Sequence, residues 1–263
     1  MSRRTWTASW ALLLLSACVW SGPAQPVAAP EDPAPTEQIA EPTGIPVPEL
    51  PAEHGLRTLE RWVGGASPGD DVPVIVAVHG LGDNPDHFAW LVEGYPQPAR
   101  VVLPAGPTPF GDGFAWMTIR TRDGRPDELA AQVDAAAARV AALCRDLGRD
   151  GKKPVLMGFS QGGIVSWTVA VRHPDTIAAA VPISGYLPEL LAKPPEGRTP
   201  APIHAVHGDA DQVVPLDLAR QGQAALASGG FEADLQVFPG VAHVIPPAVQ
   251  RTVHARVSAA AGP

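Results

Sequence analysis

The chain has 263 residues, 45% of them hydrophobic and 17% charged, enough to bury one α/β domain of ordinary size or at most two small ones. Its formal charge of -8 leaves no basic stripe, so a nucleic-acid partner is not expected. Two cysteines, Cys18 and Cys144, are too few for a disulfide framework; with no H-E-x-x-H and no paired-cysteine motif, neither a metal nor another cofactor is expected.

Arg3 and Arg4 open the chain, and the apolar stretch from Ala8 to Trp20 is too short to span a bilayer as a helix. Met1 to Trp20 therefore reads as a targeting segment, and the protein as exported. Leu15-Ser16-Ala17-Cys18 resembles the lipobox of bacterial lipoprotein signals. That resemblance implies a signal over residues 1–18, cleavage before Cys18 and lipidation of the cysteine, which would then be the only tie to a membrane. An ordinary secretory signal, cut a little later, is the alternative; Ser2-Arg3-Arg4 also resembles a twin-arginine start. Residues 19–51 read as a linker. Nine of the residues from Gly22 to Pro51 are proline, interleaved with Ala and Glu, a composition that extends as a semi-rigid spacer and buries no apolar surface.

The remaining segment, 52–263, alternates strand and helix patterns. Leu56 to Val63 reads as an edge strand before Gly64-Gly65, and the continuous apolar run Val72 to Val78 as a strand buried on both faces. Ala99 to Leu103 is the next strand, followed by a long Gly- and Pro-rich loop from Ala105 to Arg125. An alanine-rich helix spans Asp127 to Leu147, with Val133, Val140, Cys144 and Leu147 on one face, so Cys144 reads as a core residue. Further strands are expected at Ala178 to Ser184, Ile203 to Val206 and Leu235 to Phe238, and helices at Leu216 to Ser228 and Pro247 to Ala260. The alternation implies a mostly parallel central sheet with helices on both faces and a small cap or none.

Within this frame, Pro154 to Met157 is a short buried strand, and Ile164, Val165, Trp167, Thr168 and Val171 set a helical pattern that Pro174 stops. Between them sits Gly158-x-Ser160-x-Gly162, the spacing of a nucleophile elbow. A serine on a tight strand-to-helix turn has its Oγ pushed clear of the sheet, and small residues two before and two after let the backbone turn. The helix that follows directs its dipole at the negative charge of an acyl-transfer intermediate. Such a serine needs a histidine to take its proton and a carboxylate to orient that histidine. In this architecture the order is Ser, acid, His, each after the C-terminal end of a strand. Asp211, after Ile203 to Val206, and His243, after Leu235 to Phe238, meet both demands; Asp209 is the minority choice for the acid.

His79-Gly80-Leu81-Gly82-Asp83, Gly158-Phe159-Ser160-Gln161-Gly162-Gly163, His207-Gly208-Asp209-Ala210-Asp211-x-Val213-Val214-Pro215 and Gly240-x-x-His243 resemble the phospholipase/carboxylesterase family of the α/β-hydrolase fold, which includes the acyl-protein thioesterases. The resemblance covers about residues 55 to 260. It implies a serine ester hydrolase with Ser160, Asp211 and His243 as the triad, the backbone N–H groups of Leu81 and Gln161 as oxyanion donors, Asp209 as a turn residue and a small acyl ester as substrate. The chain departs from the family in the loop before the long helix, where Phe114-Ala115-Trp116-Met117-Thr118 stands in place of a Ser-Trp-Phe-Asp-like stretch. Its apparent export also argues against intracellular protein deacylation. A peptidase or polyester depolymerase on the same triad, or a non-catalytic binding lipoprotein, are the alternatives.

Phe88, Trp90 and Trp116 are candidate walls of an acyl pocket, with plain core packing the equal alternative. His79 and His207, each before a glycine at a strand end, read as turn-packing residues. His54, His87, His173, His204 and His254 show no metal spacing and read as surface or packing.

Overall fold

A computed structural model describes residues 54–148 and 151–262. The expected signal segment with its lipobox-like Cys18, and the proline-rich stretch read as a linker, lie outside the described residues. Among the described residues nine strands and five α-helices follow in order: β1 (Thr58–Val63), β2 (Val74–Val78), α1 (Pro85–Phe88), β3 (Ala99–Pro104), β4 (Thr108–Phe110), β5 (Gly113–Ala115), α2 (Pro126–Leu147), β6 (Val155–Phe159), α3 (Gln161–Arg172), β7 (Ala179–Ile183), β8 (Ile203–Gly208), α4 (Leu216–Ser228), β9 (Ala233–Phe238) and α5 (Pro247–Ala261). Seven strands make one sheet in the order β1-β3-β2-β6-β7-β8-β9, with β4 and β5 forming a separate hairpin. Only β1 runs antiparallel, against β3; the other pairings in this sheet are parallel.

Apolar strand runs follow from burial on both faces. In β2, Val76 and Val78 enter a core with α2 and α3, while Ile75 and Ala77 enter a second core with α5. β6 does the same, with Leu156 on one side and Val155 and Met157 on the other. A parallel strand sandwiched this way has no face on which a polar residue costs nothing. α2 starts with Pro126 at its first turn beside Asp127 and Glu128, where missing donors and negative charge suit a helix N-terminus. Its Val133, Val140 and Cys144 are buried, and burial pushes the Cys144 thiol up, leaving it an inert core residue.

The structure departs from the sequence expectation in several places. β1 begins at Thr58 and β2 at Val74, each two residues later than the hydrophobic pattern suggests. The short α1 forms where Asn84 Oδ1 accepts the His87 N–H at 2.9 Å, a cap that a four-residue helix hides from periodicity. The expected long loop from Ala105 to Arg125 contains the β4–β5 hairpin, because Gly113 packs so tightly on the turn after β2 that an added Cβ would lie 2.4 Å from Gly82 O. That contact is invisible to any local pattern.

His79, at the end of β2, and His207, in β8, are both buried. His79 Nε2 accepts the Gly106 N–H at 3.0 Å, so its proton sits on Nδ1 and faces Gly80 O at 2.6 Å. His207 Nε2 donates to Val214 O at 2.8 Å. Burial holds both rings below the ordinary value of 6.5, and does the same for His173 after α3. Between the folded and unfolded pKa values the unfolded chain binds more protons, so this stability is complete above about pH 6.5 and is lost as pH falls through the folded values. Calorimetric melting from about pH 8 to about pH 5 should show a plateau and then a fall in Tm. A Tm that rises on acidification through this window would contradict the neutral, buried assignment.

Candidate active site

β6 ends at Phe159 and α3 begins at Gln161, which leaves Ser160 to make the whole turn between them. Its backbone sits at φ 56° and ψ -116°, a region a side chain rarely adopts, at a cost of about 1–3 kcal/mol. The surroundings enforce it. Ser160 N–H donates to Ile183 O at 3.0 Å, and Ser160 O accepts the Ile164 N–H at 2.9 Å. A Cβ on Gly162 would come 2.0 Å from Val78 O, so only glycine lets α3 approach β2 this closely. With its backbone bound on both sides, the serine presents only its hydroxyl.

That hydroxyl lies 2.9 Å from His243 Nε2. His243 is carried by the loop after β9, and its Nδ1 lies 2.7 Å from Asp211 Oδ2. The Phe159 ring packs against the imidazole at 4.8 Å between centroids, which limits its rotation. The carboxylate is fully buried at the side chain, where an unpaired charge would be costly. Its Oδ1 accepts the N–H groups of Val213 and Val214, both at 2.9 Å, and its Oδ2 accepts from His243. An ionised carboxylate only accepts, so the imidazole proton sits on Nδ1 and Nε2 is free to take the serine proton. His207 Nε2, whose proton goes to Val214 O, stands 3.5 Å from the same Oδ2.

Asp209 has a different post. Its Oδ1 accepts the Gly240 N–H at 2.7 Å, tying the β8 turn to the loop that carries His243. Gly240 sits at φ 71°, the left-handed conformation that turn requires. Asp211, and not Asp209, is the carboxylate bonded to His243.

Gln161 follows the serine directly, and Leu81 lies in a neighbouring turn. Gln161 is the first residue of α3, so its N–H has no acceptor within the helix. Leu81 lies in the turn His79–Asp83 after β2, the strand paired with β6. At Gly80 an added Cβ would lie 3.4 Å from Ser160 Cβ, which puts this turn directly beside the hydroxyl.

Of the aromatic candidates, Phe88 and Trp116 are buried and Trp90 is half-buried. Phe88 is 1% exposed and Trp90 packs around the α5-side core, with Trp90 O accepting from Gln250 Nε2 at 3.2 Å. Trp116 is 3% exposed, and its indole N–H donates to His79 O at 3.0 Å. Four of the remaining histidines make side-chain bonds away from the serine, while His173 Nε2 is buried without a hydrogen-bond partner. His54 Nδ1 accepts from Leu56 N–H, His87 pairs with Asp83, His204 with Asp234, and His254 Nε2 donates to Leu91 O. Among the described residues no three His, Cys, Asp or Glu side chains converge as a metal site, and no helix is long and apolar enough to cross a membrane. Clefts of about 670 and 880 Å³ lie at the N-terminal ends of the parallel strands, lined by residues such as Arg145, Lys153, Val74 and Val155. Neither contains Ser160, Asp211 or His243. The serine, imidazole and carboxylate stand instead at the C-terminal ends of β6, β9 and β8, where open parallel sheets place their ligands.

Sequence reasoning passed over the side chains of Gln161 and Phe159. Both sit inside the elbow motif, but nothing in its spacing says which way they point.

Esterase YpfH of Escherichia coli strain K12 is 28% identical over 180 residues, covering 65% of this chain and 76% of that protein. Acyl-protein thioesterase 1 of Neurospora crassa is also 28% identical, over 194 residues, covering 64% of this chain and 79% of its own length. The crystal structure of esterase PE8 superposes with a TM-score of 0.66 at 24% identity, over 77% of this chain and 97% of that one, a likeness of fold. The family model described as Phospholipase/Carboxylesterase matches residues 66–258, a span that holds the elbow, the Asp211 loop and the His243 loop. On its fold and on this match, the chain belongs to the phospholipase/carboxylesterase family, hydrolases of ester bonds on the α/β-hydrolase fold.

Proposed function

We propose that the protein cleaves carboxylic esters through an acyl-enzyme on Ser160, with His243 as general base and acid and Asp211 orienting it. The observation that carries this reading is the unbroken chain from Ser160 Oγ to His243 Nε2 at 2.9 Å and from His243 Nδ1 to Asp211 Oδ2 at 2.7 Å. Ser160 Oγ attacks the acyl carbonyl as its proton passes to Nε2, and Asp211 stabilises the imidazolium that forms. The N–H groups of Leu81 and Gln161 receive the oxyanion. The imidazolium then protonates the leaving alcohol, and a water activated by the same nitrogen releases the acid and restores the serine.

The rim supports an apolar acyl group. Four large hydrophobic side chains are exposed among the described residues, and three of them, Phe110, Val213 and Val244, belong to the loops around the site. Val213 donates its N–H to Asp211, Val244 follows His243, and the Phe110 ring rests 3.4 Å from where a Cβ on Gly82 would stand. An apolar rim beside a charged triad suits an ester with a hydrocarbon acyl chain better than a peptide backbone, whose amides would lose hydrogen bonds to water there. A hydrogen-bonded triad also weighs against a purely binding protein, since it holds a buried carboxylate and a strained serine that binding would not require.

Ser160→Ala should lower the rate on an aryl acetate or butyrate by about 10⁴-fold or more with the melting temperature nearly unchanged. Retention of a tenth of the activity would show that another group is the nucleophile. Asp211→Asn should lower kcat by about 10⁴-fold, because it removes the charge that fixes the His243 tautomer. Asp209→Asn should cost less than about tenfold, since it weakens one loop hydrogen bond. The reverse ranking of kcat would transfer the orienting role to Asp209.

We also propose that the mature protein is anchored through lipid on Cys18, on the strength of Leu15-Ser16-Ala17-Cys18 followed by the proline-rich spacer. Mass spectrometry of protein from a bacterial host should find the mature N-terminus at Cys18 carrying lipid, and Cys18→Ala should abolish membrane partitioning. An unmodified N-terminus downstream of Cys18 would leave a secreted esterase.

A further inference from the structure

Gln161 contributes more to this site than its backbone. A glutamine in the first turn of a helix normally points to water, yet this one is 7% exposed and its amide is consumed by a single strap, Gly113 to Met117. Gln161 Oε1 accepts the Trp116 N–H at 3.0 Å and, at the limit of a hydrogen bond, the Met117 N–H at 3.5 Å. Gln161 Nε2 donates to Met117 O at 2.7 Å. An amide buried without partners would cost more than its bonds contribute, so the side chain and the strap fix one another.

The strap in turn brackets Leu81. On one side of that residue, His79 O accepts the Trp116 indole N–H at 3.0 Å. On the other, Gly82 N–H donates to Phe114 O at 2.8 Å, and Phe114 N–H donates to Asp83 O at 2.9 Å. The geometry leaves little slack, because a Cβ on Gly113 would meet Gly82 O at 2.4 Å and one on Gly106 would meet Ala115 O at 2.6 Å. His79 closes the circuit, accepting the Gly106 N–H at 3.0 Å while its own Nδ1–H faces Gly80 O at 2.6 Å.

We infer that the Gln161 side chain is a positioning residue that couples the two oxyanion donors: it sets the Gly113–Met117 strap, and the strap sets the Leu81 peptide at its working distance from Gln161's own N–H. The inference rests on the serine-hydrolase reading above. Oxyanion donors act only when held in place before charge develops, and losing one costs about 10²–10³-fold in kcat. Loosening one through its support should cost less than losing it.

The test replaces Gln161 with methionine, of similar size and without amide bonds, and with glutamate, which can still accept from Trp116 but cannot donate to Met117 O in its ionised form. Steady-state kinetics on an aryl ester are measured together with inhibition by an aryl boronic acid, whose tetrahedral adduct with Ser160 places an oxygen between the two donors. Gln161→Met should lower kcat by about 10- to 100-fold, leave KM within about threefold, and weaken the boronic acid by a factor that tracks kcat. Gln161→Glu should fall in the same direction. Should both variants fold poorly, Trp116→Phe removes the indole N–H bond to His79 O along with part of a buried ring, and it should show a smaller drop with the same signature. Folded variants with wild-type kcat and wild-type boronic acid affinity would overturn the proposal and leave Gln161 a stabilising residue. A rise in KM at constant kcat would overturn it in favour of a substrate contact. Failure of the triad reading itself would look different, since Ser160→Ala would then stay active and the wild type would not bind the boronic acid through Ser160.

Discussion

The close passage of α3 across the end of β2 is the constraint on which the rest of the site depends. Gly162 stands where any Cβ would strike Val78 O at 2.0 Å, and Ser160 must take up a left-handed backbone for the chain to leave β6 and enter α3 within one residue. The strain is repaid by packing that the sandwiched sheet makes available, with Ile164, Val165 and Trp167 buried in the core shared with α2. A looser turn would relieve the serine and would also lower its hydroxyl back toward the sheet. It would also draw α3 away from the turn at Gly80, where an added Cβ would stand 3.4 Å from Ser160 Cβ.

Charge is handled by enclosure at one end of the triad and by exposure at the other. Asp211 is sealed from water and held by backbone donors at Val213 and Val214, so its orientation is fixed before any substrate arrives. His243 keeps 16% of its side chain exposed and meets the serine at the surface, where an acyl group and a water can reach it. A fully buried imidazole would resist the positive charge that the proposed reaction places on it. His207 and His79 illustrate that penalty, since burial lowers the pKa of both, and both serve as neutral hydrogen-bonding groups near strand ends.

Turn residues divide the labour in a way that composition conceals. Asp209 and Asp211 are two positions apart, yet one ties the β8 turn to Gly240 and the other faces His243. The loops at this end of the sheet are thus cross-braced by side-chain-to-backbone bonds, in the manner of Gln161 to Met117 and Asp211 to Val214. Such bonds hold irregular backbone in place without secondary structure, and this lets loops carry a rigid site.

By itself the sequence determined the parallel sheet, the elbow at Ser160 and the order of serine, acid and histidine. Those features follow from local chemistry: apolar runs for strands buried on both faces, small residues where a turn is tight, and loops after strand ends. Asp211 and His243 were legible because each follows a strand and keeps the order the chemistry needs. Tertiary structure alone decided what depends on contacts between segments distant in the chain. The β4–β5 hairpin forms because Gly113 fits against the turn at Gly82, 31 positions away, and no periodicity records such a fit. Phe88 and Trp116 could equally have been pocket walls or core until the sheet order placed them; a hydrophobic side chain carries no information about which apolar surface it meets. Gln161 is the sharpest instance. Its place in the elbow motif was plain, but a side-chain amide at a helix start points to water unless something folds over it, and here the Gly113–Met117 strap, which closes over it, is set by the tertiary fold.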